Sequence, residues 1–585
     1  MRFGSVLNNG YFTIGMDDSL FAQFDWAAAG IGPVVIEYGG GPITFARNPV
    51  GNTGDLAVLG PTARSTYGVT GAGIKIGILS DSFNLKGKMA SNIAVGALPA
   101  DVTIVKEGPA GSSDEGRAMA ELVHKIAPGA SIYFYSAFYS ELDFAAGITA
   151  LGALGCNIIV DDVAYFDEPF FQIGSAIDKA IDQVTASGVS YFTAVGNDGQ
   201  DYYQGTFTGI TSALPGITGT YKAENFGTAA VPNPLQSITI PTGDNVIFDL
   251  QWDQPYQNIG IGHASANSLA MVLYDNTNKI VASGRIRDVG KNPVQLMSFT
   301  NNSATNTAYR LAIYTNGGAV APGTFKYLMM SGGSTINDAN AGIGSGSAYG
   351  HAIDPAANSV GAIAAASAPA NGGNGQVEYF SSSGPGLILF DGTGTKLTTP
   401  LVPNKPNFVA PDGVQTDVFK PFYGTSAAAP DAAAVAALML QAQPGLLPAQ
   451  VTSILAASAI PVTGAANTTG AGLVQATTAV QLALATTPGA VSAVALAGYT
   501  APSPSFLAPN GSNATVGIAA TADFAGASYS ASPLLAVLAS YPTAQGFWAE
   551  IDLAATNYAD AAAAGGASAM ATLAHLTDVI VLGHP

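Results

Sequence analysis

Residues 422–430 read Phe-Tyr-Gly-Thr-Ser-Ala-Ala-Ala-Pro and run into an alanine-rich stretch. Gly424 permits a tight backbone approach, and either Thr425 or Ser426 can cap a helix that begins here. Apolar side chains then recur at helical spacing as far as Met439. Backbone N–H groups and the helix dipole at such a start favour a developing negative charge, as acyl transfer requires. The pattern predicts a serine nucleophile, Ser426, at the N-terminus of a helix.

This stretch resembles the nucleophile motif Gly-Thr-Ser-x-Ala-x-Pro of the subtilisin-like serine peptidases, the subtilases. Two upstream segments, 380–385 and 408–413, resemble subtilase segments that precede the nucleophile. The resemblance extends over about residues 73–200 and 345–480. It implies hydrolysis of peptide bonds in polypeptide substrates through an acyl-enzyme on Ser426.

Alternation of strands and helices organises most of the chain. Residues 71–200 and 341–486 alternate in this way, which predicts an α/β fold with a parallel sheet sandwiched by helices. Residues 201–340 carry short β-rich runs separated by turns, which predicts an inserted all-β sandwich similar to the jelly-roll-like accessory domains of secreted peptidases. Residues 1–70 are interpreted as a pro-like lead-in, and residues 487–585 as a tail rich in Ala, Gly, Ser and Thr.

Length, charge and cysteine content narrow the class of protein. The chain has 585 residues, enough for roughly two to four domains, and a net charge of −19 that disfavours nucleic acid and anionic membranes as partners. No segment reaches the ~18 uninterrupted apolar residues of a membrane span. Cys156 is the only cysteine, so no disulfide framework is expected.

Composition also gives an expectation for location and cofactors. Only 10% of the residues are charged, as is typical of secreted bacterial proteins, yet Met1–Gly4 does not begin a signal peptide. We expect secretion by a route without a visible signal peptide, with an intracellular location as the alternative. Acidic loops such as Asp275–Asn278 and the pair Asp198 and Asp201 offer oxygen ligands for calcium, but no cofactor is assigned. The sequence does not indicate an oligomeric state.

Two acidic residues align with the remaining members of the subtilase triad. Residues 76–83 resemble the strand that delivers the catalytic aspartate, which implies that role for Asp81. Residues 113–120 resemble the helix start that carries the catalytic histidine, but Glu115 stands in its place. Because two carboxyl groups in contact cannot both ionise easily, a Glu115–Asp81 pair can share one proton and deprotonate Ser426 in acid.

The altered triad is similar to that of the sedolisins, acid-acting relatives that use Glu, Asp and Ser on the same fold. Sedolisins place an aspartate one turn after the glutamate, where this chain has Met119. A structural alternative interprets Glu115 as a first-turn acid favoured by the helix dipole. We expect peptidase activity to have an acidic pH optimum, because a carboxyl pair holds the shared proton that the base needs only below neutral pH.

Two further positions carry polar side chains at predicted strand ends. Residues 194–199 resemble the subtilase oxyanion segment, and Asn197 matches the asparagine that stabilises the tetrahedral intermediate, where sedolisins carry aspartate. Asp161 and Asp162 follow a predicted buried strand where subtilases have a small residue that lines the substrate cleft. Asp162 is therefore a possible additional carboxylate, and the alternative is a cap or turn residue.

Two other hypotheses compete with the altered triad. His351 lies where the α/β pattern resumes, near the region in which subtilases form the specificity pocket. A neutral subtilase with His351 as base is therefore one alternative. The other is an inactive pseudopeptidase that serves as a binding or adhesion module, since loss of the family's histidine also fits an inactive copy. Retention of Asp81, Asn197 and Ser426 together favours the active enzyme.

Overall fold

The computed structural model describes residues 53–259, 262–318, 321–338 and 340–489, together with the backbone of Ile36–Glu37. The chain divides into two compact units, residues 1–502 and 503–585, and every described residue belongs to the first. The predicted lead-in before residue 53 and the predicted tail after residue 489 otherwise lie outside the described residues.

Seven parallel strands form the central sheet. They are β1 (Lys75–Ser80), β2 (Thr103–Lys106), β3 (Ser131–Ser136), β4 (Ile158–Asp161), β5 (Ser190–Ala194), β6 (Asn358–Ala364) and β7 (Phe408–Asp412). Their order across the sheet is β7-β6-β5-β4-β1-β3-β2. The chain first places β2 and β3 on one side of β1 and then places β4 on the other side. The strand order therefore reverses between β1 and β4. Ligands of open parallel sheets bind at such a switch point, beyond the carboxyl ends of the strands.

Helices cover both faces of this sheet. They are α1 (Thr53–Ala57), α2 (Gly60–Tyr67), α3 (Met89–Ala94), α4 (Glu115–Ile126), α5 (Glu141–Ala153), α6 (Ala176–Ala186), α7 (Thr425–Ala442), α8 (Pro448–Ser458), α9 (Ala466–Thr469) and α10 (Ala476–Ala485). Successive strand side chains point to opposite faces, so Ile78 packs in the core with α4 and α7 while Leu79 packs in the core with α5 and α6. The predicted α/β class with a helix-covered parallel sheet is confirmed.

Part of the predicted lead-in packs into the α/β body. Ala57, Val58 and Ala63 in the α1–α2 region are fully buried. Arg64 donates hydrogen bonds of 2.7 Å to the Asp55 carboxylate and of 2.8 Å to the carbonyl oxygen of Ile126, at the end of α4. The packed body thus extends upstream of residue 71 and includes these two helices, which are too short to give a strong helical period in the sequence.

Two antiparallel sheets occupy the chain between β5 and β6. One sheet contains Tyr202–Thr206, Asn245–Trp252, Val294–Thr300 and Thr324–Met330. The other contains Ile210–Ser212, Tyr221–Ala223, Gln236–Thr239, Asn267–Tyr274, Ile280–Gly284, Ala308–Gly318 and Thr335–Ile336. Alternate residues of both sheets share one hydrophobic core that includes Trp252 and Tyr327. Since β5 and β6 are hydrogen-bonded neighbours, the chain leaves the parallel sheet for these strands and then returns to the adjacent position.

The antiparallel sheets contact the α/β body through buried polar groups. The Gln251 side chain accepts a 2.8 Å hydrogen bond from the backbone N–H of Phe170 and donates one of 3.0 Å to the carbonyl of Glu168. Lys326 is fully buried, its Nζ lies 4.9 Å from the Phe170 ring centroid, and it donates to the carbonyl of Gly346 at 3.1 Å. Burial lowers the pKa of Lys326 to about 7. These contacts fix the loop that follows β4.

Candidate active site

Three carboxyl groups lie at the switch point of the parallel sheet. Asp81 follows β1 directly, Asp162 follows β4 directly, and Glu115 is the first residue of α4. The register pairs Leu79 with Asp161, so the residues after these two strands lie at the same edge. All three side chains are at most 1% exposed. The fold therefore brings the predicted acids Asp81, Glu115 and Asp162 together in one buried patch.

Asp81 holds the beginning of α4. One of its carboxylate oxygens accepts hydrogen bonds from the backbone N–H groups of Ser82 and Glu115, the latter at 2.9 Å. The other oxygen accepts from the backbone N–H and the hydroxyl of Ser113, the latter at 2.6 Å. Burial raises the pKa of Asp81, and these hydrogen bonds oppose the increase by stabilising the charged form. Asp81 thus fixes the backbone of Glu115.

Asp162 experiences like-charge crowding from the other acids of the patch. Burial raises its pKa well above the ordinary aspartate value, and the negative charge of Glu115 is the next largest cause. The Ser80 hydroxyl acts in the opposite direction, while the charges of Asp81 and Asp161 raise the pKa of Asp162 further. Two buried carboxyl groups that raise each other's pKa retain one proton between them over a wide pH range.

Ser426 lies in the first turn of α7, as the sequence predicts. Gly424, immediately before the helix, has φ of 103°, a conformation that disfavours residues with a Cβ atom, and its N–H donates to Asp412 at 2.9 Å. The Ser426 side chain is fully buried, and its Oγ forms no hydrogen bond within the described part of the chain. Helix α7 packs against α4, β4 and β5, the elements that carry the other candidate residues.

Asn197 is tied to the start of the same helix. Its Oδ1 accepts hydrogen bonds from the backbone N–H of Thr425 at 3.0 Å and from the Thr425 hydroxyl at 2.9 Å. The Thr425 hydroxyl also accepts from the backbone N–H of Gly196 at 3.3 Å. Because the amide oxygen is held in this way, the Nδ2 donors point in the other direction. Thr425, which the sequence suggests only as a possible cap, thus joins the predicted oxyanion segment to the nucleophile helix.

Asp412 is a site residue to which sequence reasoning gives no role. It ends β7, is fully buried, and accepts the hydrogen bond from Gly424 two residues before the predicted nucleophile. Burial raises its pKa well above the ordinary value, and the charge of Glu378 and a hydrogen bond with that carboxyl group add to the increase. Asp412 lies within segment 408–413, which resembles a subtilase segment, and this is the only sequence signal for it that we identify. Its partner Glu378 is more than 30 residues upstream, so the sequence does not indicate the pairing.

His351 is bonded through both ring nitrogens to buried carboxylates. Nδ1 lies 2.7 Å from Glu168 Oε2 and Nε2 lies 3.1 Å from Asp161 Oδ1, and the ring is 1% exposed. Burial alone lowers the pKa of His351, but the charges of Glu168 and Asp161 outweigh burial and raise it well above its usual range. A protonated imidazole with both nitrogens occupied has no lone pair to accept the Ser426 proton. This geometry does not support His351 as the base.

Removal of the His351 ring tests this structural role. We expect His351→Ala to lower the free energy of unfolding by about 3–5 kcal/mol, because it leaves two buried carboxylates without their cation. The stabilisation is present below the ordinary histidine pKa and disappears as pH rises through the raised folded-state pKa, so the loss is measured by thermal unfolding at pH 5. His263→Ala removes an exposed imidazole and is the matched control. Loss of turnover in folded His351→Ala, with stability unchanged, contradicts the assignment.

The parallel sheet and the serine in the first turn of a buried helix are the arrangement that the sequence predicts for a serine-type peptidase of the α/β class. The chain belongs to the subtilase family, whose family model matches residues 89–478, about two thirds of the chain. The match includes Glu115, Asp162, Asn197 and Ser426, and begins after Asp81. The protein is therefore a hydrolase of polypeptide substrates. No helix among the described residues has the length and apolar character needed to cross a bilayer.

Solved structures of proteases match the chain at low identity. The CspB protease of Clostridium perfringens is 14% identical, with coverage of 74% of this chain and 99% of that chain and a TM-score of 0.48. A protease from Pseudoalteromonas arctica is 14% identical, with coverage of 75% of this chain and 100% of that chain and a TM-score of 0.34. MycP1 from Mycobacterium smegmatis is 14% identical, with coverage of 76% of this chain and 88% of that chain and a TM-score of 0.32. No curated protein sequence matches the chain.

Proposed function

We propose that this subtilase is an acid-acting endopeptidase with a sedolisin-like triad. Ser426 is the nucleophile, Glu115 is the base, Asp81 fixes the position of Glu115, and Asn197 donates to the oxyanion. The supporting observation is the position of Glu115, which begins α4, donates its backbone N–H to Asp81, and carries a charge that raises the pKa of Asp162. The bonding of both His351 nitrogens to carboxylates removes the rival base in the same region.

The reaction follows the order of acyl transfer. The Ser426 hydroxyl attacks the peptide carbonyl carbon and forms a C–O bond, while its proton moves to the Glu115 carboxylate and the carbonyl electron pair moves to oxygen. Asn197 donates a hydrogen bond to that oxygen. Collapse of the intermediate breaks the C–N bond, and the amine leaves with the proton from Glu115. Water then hydrolyses the acyl-enzyme with Glu115 again as base.

The edge beside Asp162 suits an extended peptide. Val163–Ala164 forms a short strand, and the backbone of Ile36–Glu37 from the same chain pairs with it in antiparallel register. Addition of a strand to an exposed edge is a common mode of peptide recognition, because main-chain hydrogen bonds provide affinity without selecting a sequence. This supports unfolded polypeptide segments as substrates. An extracellular bacterial enzyme in an acidic medium is the setting that fits such an activity.

Cleavage of denatured casein from pH 3 to pH 8 tests the proposed function. We expect activity with a maximum below pH 6 that disappears in Ser426→Ala, because the carboxyl base works only while the buried carboxyl groups share a proton. A serine-dependent maximum at neutral pH contradicts the carboxyl base. Absence of serine-dependent cleavage at every pH, in a folded preparation, supports the inactive binding module instead.

Acid stability provides a test that does not depend on activity. Burial raises the pKa of four carboxyl groups to about 7: Glu121, Asp198, Asp201 and Asp288. A raised folded-state pKa contributes stability that is fully present below the unfolded value near 4 and is lost as pH rises towards 7. We expect Tm to fall between pH 4.5 and pH 7 by on the order of 5 °C or more.

The stability experiment uses Ser426→Ala to prevent self-digestion. The lowered pKa of Lys326, about 7, adds stability only above that pH and therefore does not mask the change. Surface repulsion from the net charge of −19 also grows with pH, but added salt at about 0.5 M screens it and leaves the buried groups unaffected. A Tm at pH 7 equal to or above that at pH 4.5 in high salt contradicts the expectation.

A further inference from the structure

We propose that Asp162, and not Asp81, is the positioning residue that shares a proton with Glu115, and that Asp81 serves as the backbone anchor of α4. This inference rests on the proposed role of Glu115 as base, and it changes the identity of the base's partner. Glu115 at the start of α4 would then have its carboxyl partner after β4, and not after β1.

The hydrogen bonds of Asp81 argue against it as the proton-sharing partner. Its two carboxylate oxygens accept four hydrogen bonds, two from Ser113 and one each from the backbone N–H groups of Ser82 and Glu115. An ionised carboxylate has about four acceptor sites and no donor. A proton on Asp81 would have to displace one of these donors and would loosen the start of α4.

Asp162 lies where a shared proton is needed. It is fully buried at the switch point, and neither of its carboxyl oxygens accepts a hydrogen bond within the described part of the chain, whereas both oxygens of Asp81 are occupied. The charges with the largest effect on it are acidic: Glu115 from α4, Asp81 after β1 and Asp161 from β4. Oδ1 of Asp161 lies 3.1 Å from Nε2 of His351. Among these acids, the charge of Glu115 has the largest effect on Asp162. Buried carboxyl groups in this relation hold a common proton, because burial makes a second negative charge costly.

A proton held by Asp162 has a consequence for catalysis. The Asp162 O–H group can donate to the Glu115 carboxylate, which keeps Glu115 ionised and oriented to receive the Ser426 proton. When the pair loses that proton, the two carboxylates repel each other and the arrangement of the base is lost. The fall of kcat on the alkaline side of the pH profile therefore reports loss of the proton that Glu115 and Asp162 share. The apparent pKa of this alkaline limb is a property of both groups.

Substitution of Asp162 tests the pairing directly. Asp162→Asn replaces the titrating O–H donor by an amide N–H donor that does not titrate. We expect the alkaline limb for casein cleavage to move upward by at least about one pH unit, with kcat at the optimum within about tenfold of the parent. Asp81→Asn replaces two acceptor sites with donors that face backbone N–H groups, so activity should fall at every pH without displacement of the limb.

A milder variant keeps the test decisive if Asp162→Asn does not fold. Ser80→Ala removes the hydroxyl that favours ionised Asp162, so the pKa of Asp162 and the alkaline limb should both rise. Ser82→Ala is the matched control, since Ser82 is equally buried and its hydroxyl contacts Asp114 instead, at 3.1 Å. Folding of each variant is checked by thermal unfolding at pH 4.5.

The outcomes separate this inference from the proposed function. An upward displacement of the limb in Asp162→Asn or in Ser80→Ala, but not in Ser82→Ala, supports the Glu115–Asp162 pair. An unchanged limb in the folded Asp162 and Ser80 variants, or a displaced limb in Asp81→Asn, overturns the pair while Glu115 remains the base. Full activity of Glu115→Gln at pH 4 overturns the proposed function itself and the pair with it.

Discussion

Replacement of Glu115 by glutamine is expected to lower kcat at pH 4 by about 10⁴-fold or more, close to the effect of removing the nucleophile in Ser426→Ala. The amide has the size of the carboxyl group but cannot accept the serine proton at any accessible pH. The side chain is fully buried, so solvent cannot readily replace it as base. Single-turnover cleavage of a chromogenic peptide measures the acylation step in both variants.

Glu121→Gln is the matched control for this experiment. Glu121 lies on the same helix, is 1% exposed, and accepts hydrogen bonds from Asn92 at 2.9 Å and from the backbone N–H of Asp417. Its substitution removes a buried carboxyl group from α4 without touching the carboxyl patch, so kcat should remain within about threefold. If Glu115→Gln keeps more than about a tenth of the parent kcat, Glu115 is not the base.

Loss of the Asn197 amide is expected to give the second largest effect. Asn197→Ala should lower kcat by about 10²–10³-fold with little change in KM, because an oxyanion donor acts in the transition state and not on the bound substrate. The anchoring of Asn197 Oδ1 by Thr425 directs the Nδ2 donors away from the helix start. The measurement is kcat and KM at the pH optimum.

An aspartate at this position provides a sharper form of the same test. A protonated carboxyl group can donate to the oxyanion, whereas an ionised one repels it. We therefore expect Asn197→Asp to retain activity at pH 3 and to lose it as pH rises through about 4, before the parent enzyme loses activity. Equal losses for Asn197→Ala and Asn197→Asp at every pH contradict donation from this position.

Local signals account for the parts of the site that were predictable. Helix Glu115–Ile126 begins within the segment 113–120 that resembles a helix start, and its buried apolar residues recur at helical spacing along its whole length. The Gly424–Ser426 turn depends on a glycine at positive φ followed by good helix formers, all within a few residues. Strand β4 was equally visible as a short apolar run before two acids.

The electrostatic roles of the same residues were not predictable in this way. Asp81 meets its donors on Ser113 and Glu115 more than 30 residues away, and His351 meets Glu168 and Asp161 across 183 and 190 residues. No periodicity relates such positions. They become neighbours only when the order of the strands across the sheet is fixed.

The sequence by itself determined which chemical groups are available: a serine at a helix start, an asparagine and an aspartate after strands, and a glutamate where a histidine is usual in the family. It determined the elements that carry them, because helix and strand periods are local properties. Only the tertiary structure decided which acid faces which, since burial and charge act through space. The reversal of strand order between β1 and β4 places Asp81, Glu115 and Asp162 in one buried patch, and the folded chain pairs His351 with Glu168 and Asp161.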